Sequence, residues 1–246
     1  MTWLAVLLIG VAVTDLAHSA LQRNVVPQCV GAAAAVAVSL VAGLTAPGEL
    51  VALLVVVLAV LGWGLAVTRG FAPGGRAWQP LAVLGVALTL ALAVAPLAPT
   101  LPADGPLGRW LSAVPWPLAS AQSPERILLL VALTLTQLST GNVIVRLVLS
   151  ATGTVVAAQH GTDGDPETRL KGGRLLGPME RLVIFGLGLA GELTAAGIVI
   201  AAKGLLRFPE LQSRADQTRI HQLTEYFLVG SFVSWLVPLT SLVLLA

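Results

Sequence analysis

The chain has 246 residues, of which 56% are hydrophobic and 11% charged, and its mean hydropathy is +0.88. Soluble domains carry about 25% charged residues, so the composition excludes an ordinary one and places most of the chain in lipid. Its 14 basic residues, for a net charge of +2, are scattered over several short segments; they form no stripe for a nucleic acid, and no nucleic-acid partner is expected.

Apolar runs of about 20 residues match the bilayer core, where only helices or closed barrels satisfy their own backbone. The runs are continuous rather than alternating, which selects helices. The fold expected is an all-α polytopic transmembrane bundle, a single integral membrane domain over 1–246. Its spans fall at about 3–21, 28–46, 49–69, 78–98, 124–150, 182–203 and 222–245.

The first run has no basic residue ahead of it, so it lacks the n-region of a secretory signal and reads as a membrane helix. Asp15, His18 and Gln22 stand on one face of it at i, i+3 and i+7, with Arg23 next. An ionisable side chain at the centre of a span costs at least about 2.5–3.5 kcal/mol. This face is therefore a proton or cation relay, or a hydrogen-bonded patch that glues helices together.

Pro27 after Asn24, Pro47-Gly48 and Pro73-Gly74-Gly75 mark the next breaks, and the second and third runs read as a tight hairpin. Cys29 is the only cysteine, which excludes an intramolecular disulfide and a cysteine metal cluster. From Pro96 to Pro124, Pro99, Pro102, Pro106, Pro115 and Pro117 forbid a regular span, while Trp110 and Trp116 suit the membrane interface. That stretch is an interfacial connector or a lid.

The fifth run holds Thr134, Thr136, Gln137, Ser139, Thr140, Asn142 and Arg146; Thr136 with Thr140, and Asn142 with Arg146, share faces. These groups line a solute path or serve helix packing. The connector from Thr152 to Pro178 contains His160 and the acids Asp163, Asp165 and Glu167. A calcium loop needs a bidentate Glu where Arg174 stands, so a solvated turn is expected there. His160 and His221 make no metal set with His18, and neither metal nor cofactor is expected.

Arg181, Glu192 and Lys203 are spaced by 11 residues, three turns of one continuous helix, hence on one face and roughly 16 Å apart. Glu192 then lies near mid-span and needs Arg146, the Asp15 and His18 face, or water. Lys203 and Arg207 can snorkel to the interface, where Glu225 could pair with either. Glu180, Arg181, Lys203, Arg207 and Glu225 form the expected interfacial charge clasp. Asp15, His18, Gln22, Asn142, Arg146 and Glu192 form the expected polar path.

Seven spans with the N-terminus outside place Arg23, Arg69, Arg76, Arg146, Arg169, Lys171, Arg174 and Arg181 inside, against Arg109, Arg126, Lys203, Arg207, Arg214 and Arg219 outside. That is a weak bias for the positive-inside rule. If 182–203 instead dips in and returns on the same side, as Gly186, Gly188, Gly191 and Gly197 permit, the count becomes 12 against 2. Both topologies stay open, with a single span as the working expectation.

The final third resembles the uncharacterised bacterial membrane family of domain of unknown function 3307. The resemblance rests on Gly173-Arg174-Leu175-Leu176-Gly177, Glu180-Arg181-Leu182, Ala201-Ala202-Lys203 with Arg207-Phe208, and Glu225-Tyr226-Phe227-Leu228-Val229-Gly230. Asp15, His18 and Leu21-Gln22 match its N-terminal pattern with altered spacing. The resemblance implies a multi-pass bacterial inner-membrane protein and no assigned activity. It also implies an amide at Glu192.

No phosphate loop, zinc-protease helix, nucleophile elbow or paired-aspartate motif is present. Three functions remain. The first is transport or conduction of a small solute or ion along the polar path. The second is a non-catalytic membrane partner or assembly subunit, bound to another protein or to copies of itself. The third is a lipid-processing enzyme, disfavoured for want of a nucleophile with a base.

Overall fold

A computed structural model of the chain describes residues 1–21, 25–102, 104–113, 122–153, 173–212 and 217–246, with only the backbone at 173–174, 206–212 and 217–225. Among the described residues the fold is all-α: ten α-helices and one 3-10 turn, with no strand. The helices are α1 (Thr2–Ala20), α2 (Val26–Val41), α3 (Pro47–Gly70), α4 (Trp78–Val94), α5 (Pro106–Ala113), α6 (Pro124–Leu138), α7 (Thr140–Ala151), α8 (Gly173–Leu189), α9 (Leu193–Gln212) and α10 (Gln217–Leu245). The 3-10 turn Ala95–Leu97 extends α4.

Among the described residues four segments are long and apolar enough to cross a membrane: Thr2–Ala20, Pro47–Gly70, Trp78–Leu97 and Tyr226–Leu245. They match four of the seven expected runs. Counting the broken pair α6 and α7 as one span gives five. The side chains of Leu50, Val51, Leu54, Val55 and Leu58 on α3, and of Val86 and Leu90 on α4, are exposed, as contact with lipid requires.

The residues fall into two compact units, Met1–Arg69 with Gln79–Thr140, and Gly70–Trp78 with Gly141–Leu244. In the first, α1 is the central helix: 72% of its membrane-length window is buried, against 17% for α4. A helix that is apolar on every side gains most when packed on every side, and α1 packs against α2 and α6. It also meets α3, where a Cβ on Gly10 would stand 2.7 Å from Val60. The connector after α4 is tied back to α6, since the Glu125 carboxylate accepts from Leu101 N–H and Ser123 caps the helix. Between Leu97 and Pro124 the described residues hold one helix, the 8-residue α5, with Trp110 exposed on it.

Three expected spans are not single long helices. The run 28–46 yields a 16-residue helix, because Gly43 turns left-handed at φ 79° and closes α2 with bonds from Leu44 N–H to Ser39 O and from Gly43 N–H to Leu40 O. The run 124–150 breaks at Ser139, at φ −118° and ψ −67°. There Thr134, Thr136 and Ser139 all turn their hydroxyls onto carbonyls of the preceding turn, the competition that weakens and bends helices.

The run 182–203 breaks as well, and here the expected face of Arg181, Glu192 and Lys203 dissolves. α8 ends in the same paired-bond motif, Glu192 N–H to Leu187 O and Gly191 N–H to Gly188 O, with Gly191 at φ 81°. The chain reverses, and α9 packs back on α8. Glu192 sits exposed in the turn instead of at mid-span. A Cβ on Gly191 would meet nothing within 4 Å, so only backbone strain opposes substitution. Gly191→Ala is expected to cost about 1–2 kcal/mol, and Gly191→Asn less, because Asn tolerates this conformation. Equal denaturation midpoints for the three proteins in mild detergent would remove the hairpin turn from this account.

Candidate functional site

The first unit buries a polar centre on its central helix. The Asp15 carboxyl group is 3% exposed, and its Oδ1 accepts from Trp63 Nε1 of α3 at 2.9 Å. Thr140, the last residue of this unit, brings its hydroxyl beside the carboxyl group. Neither Thr140 Oγ1 nor Asp15 Oδ2, both buried, reaches a partner in hydrogen-bond geometry. No ion pair reaches Asp15 among the described residues.

Around the carboxyl group the helices come close through small residues. Thr14 Oγ1 donates to Gly10 O at 2.8 Å, and Thr14 lies against Gly31 of α2 and Gly64 of α3. A Cβ on Gly64 would stand 2.6 Å from Gln28 Cβ, which places buried Gln28 in the same layer. Ser139 Oγ, at the break after α6, donates to Ala12 O at 2.8 Å. Gly10-x-x-x-Thr14, Gly31-x-x-x-Ala35 and Val60-x-x-x-Gly64 are thus the contact stripes of three helices. His18 follows Asp15 on the same face, half-buried, and its Nε2 is buried without a partner.

The second unit holds a cationic centre. Arg181 is 1% exposed; its Nη1 donates to Ser234 Oγ of α10 at 3.0 Å and its Nη2 to Asn142 Oδ1 of α7. Gly141 leaves room for it, since a Cβ there would stand 2.6 Å from Nε and 2.8 Å from Cζ. The neighbouring Glu180 closes the α8–α9 hairpin by an ion pair with Lys203 and accepts from Trp235 Nε1 at 3.1 Å. The Lys203 ammonium also lies 5.9 Å from the Trp235 ring centroid and 6.0 Å from that of Phe227. Arg146 stacks over Phe71 at 5.3 Å.

The residues of the expected polar path take the following places in the fold. Asp15 and His18 belong to the first unit, Asn142 and Arg146 to the second, and Glu192 is an exposed turn residue. Of the expected clasp, Glu180 and Lys203 pair with each other, while Arg181 binds a hydroxyl and an amide. Gln22, the side chains of Arg207 and Glu225, and the connector residues His160 to Glu167 lie outside the described residues. Sequence reasoning missed Trp63 and Thr140 as neighbours of Asp15. A Trp flanked by glycines, Gly62-Trp63-Gly64, inside an aliphatic run was the available signal. No known protein family, curated protein or solved structure matches the chain.

Proposed function

We propose that this chain is a multi-pass protein of the bacterial inner membrane that moves a small solute or ion through the polar centre around Asp15. The observation that carries the reading is a buried carboxyl group on the most enclosed apolar helix, held by one Trp N–H and without a countercharge among the described residues. Packing alone is served as well by a neutral side chain, so retaining an acid at this cost points to use of its charge or its proton. Thr140 and His18 flank it, so the proposed path includes one face of α1.

The topology that accompanies this reading is the re-entrant one. The hairpin turn at Gly191 and the ion pair of Glu180 with Lys203 put both ends of 180–203 at one level. Arms of about 11 residues reach roughly 16 Å, half the bilayer core. With α2 also crossing, this topology distributes the basic residues 12 to 2, in keeping with the positive-inside rule.

In lipid vesicles containing the purified protein, Asp15→Asn is expected to lower flux of the transported species at least about tenfold, the loss of about 1.4 kcal/mol of stabilisation. A panel of alkali cations, protons and small organic solutes should be screened against it. Unchanged flux of every species that wild type passes would remove Asp15 from any path. The second reading, an assembly subunit, is favoured by the interhelical bond from Ser139 to Ala12 and by the small-residue stripes. A partner that co-purifies in fixed stoichiometry, together with vesicles tight to the whole panel, would establish it instead.

A further inference from the structure

We propose that the species handled at this centre is a proton, bound by the Asp15 carboxyl group and shared with the Thr140 hydroxyl. Its role in transport rests on the reading above; the bound proton itself rests on geometry. Asp15 Oδ2 and Thr140 Oγ1 are both buried, neither has a hydrogen-bond partner, and the Thr140 hydroxyl neighbours the Asp15 carboxyl group. A carboxylate and a hydroxyl can satisfy each other in two ways, since the hydroxyl donates to the anion or the neutral acid donates to the hydroxyl. Only the second also removes an uncompensated charge from the interior of a span.

Among the described residues nothing else in the neighbourhood compensates that charge. On α1 the nearest titratable group is His18, three residues on. From α2 the buried face presents Gln28, an amide, while Cys29 is exposed. From α3 it presents Trp63; Glu49 and Arg69 stand in the first and last turns, with Arg69 exposed. α6 carries Glu125 and Arg126 only in its first turn, and α4 carries no titratable side chain.

Two oxygens are too few for a hard metal cation, which takes about six. No group of three or more His, Cys, Asp or Glu occurs among the described residues. A proton needs one donor and one acceptor, which is what the site supplies. On release, the Oδ2–H bond breaks and the proton passes to water or to His18 Nε2, which is buried on the same face without a partner. The carboxylate left behind keeps the Trp63 N–H as its donor.

Infrared spectra of the full-length protein in lipid test the site, and a pH-sensitive dye inside vesicles under an imposed potential tests its use. Wild type is expected to show a protonated-carboxyl C=O band at neutral pH that shifts in heavy water and is absent from Asp15→Asn. Thr140→Val should move that band by deleting the acceptor, and Thr140→Ser should restore it. The Asn variant can donate from its amide and still accept from Trp63, so it should fold with wild-type stability.

Proton flux should fall at least about tenfold in Asp15→Asn, the tenfold-per-1.4 kcal/mol scale again being the measure. Absence of the Asp15-dependent band at neutral pH, or a band indifferent to Thr140, overturns the shared proton. A band with the expected Thr140 response but no flux sustains the bound proton and overturns the transport reading alone. Flux of sodium that clears the band on sodium addition makes a metal ion the occupant and overturns the proposal.

Discussion

Arg181→Ala is expected to destabilise the second unit by about 2–4 kcal/mol, the largest loss from any single truncation of a polar side chain here. Hydrogen bonds between membrane helices are worth about 0.6 kcal/mol on average and up to about 1.7. Stranding a buried polar group costs about 1–3 kcal/mol. Arg181 serves two such groups, Ser234 Oγ and Asn142 Oδ1, and its stem fills the space over Gly141. Truncation leaves both oxygens without that donor and opens a cavity among α7, α8 and α10.

Arg181→Lys keeps the charge but lacks the planar fork that spans two acceptors, so about half the loss should return. Gly141→Ala attacks the same contact from the other side, because its Cβ would meet Nε and Cζ rather than the mobile end of a chain. The double substitution Arg181→Ala with Gly141→Ala should therefore cost less than the sum of the singles. Detergent-denaturation midpoints of the four proteins decide this. Strict additivity would mean that Gly141 does not seat Arg181.

Gly31→Ala carries the second large effect, an expected loss of about 1–3 kcal/mol or more from overpacking. Its Cβ would overlap both Thr14 Oγ1 and the Gly10 carbonyl oxygen. The hydroxyl can rotate away, but the carbonyl is fixed in α1, so α1 and α2 must separate. Adding Thr14→Ala should recover only the side-chain part of the loss. Gly85→Ala on α4 is the matched control: nothing lies within 4 Å of its Cβ. There helix propensity alone should stabilise, by about 0.5–1 kcal/mol. Similar shifts at Gly31 and Gly85 would show that α1 and α2 are not in this close contact.

Both effects lie on residues whose meaning differs between the one-dimensional and three-dimensional views. Gly31 reads as one more small residue in the alanine-rich run of α2; it becomes decisive because Gly10 and Thr14 present the same small stripe opposite. Arg181, Glu192 and Lys203 read as one charged face because their spacing fits three helical turns. One left-handed glycine at 191 cancels the register and delivers Lys203 to Glu180. The hairpin ties Glu180 to Lys203, while the neighbouring Arg181 reaches away from it to Ser234 and Asn142.

Composition and periodicity alone pointed to the all-α fold of the described residues and to its long apolar helices, because hydrocarbon leaves the backbone few other ways to satisfy itself. They also singled out Asp15 and His18, since any ionisable group in such a run stands out by its cost. What only the tertiary structure decided is which helices are continuous and which polar groups meet. A glycine stops a helix only if the chain adopts its left-handed conformation, as at Gly43 and Gly191. The setting of Asp15 depends on Trp63 and Thr140, 48 and 125 residues away along the chain. Local spacing cannot encode such a meeting; the close approach of glycine-lined helices brings it about.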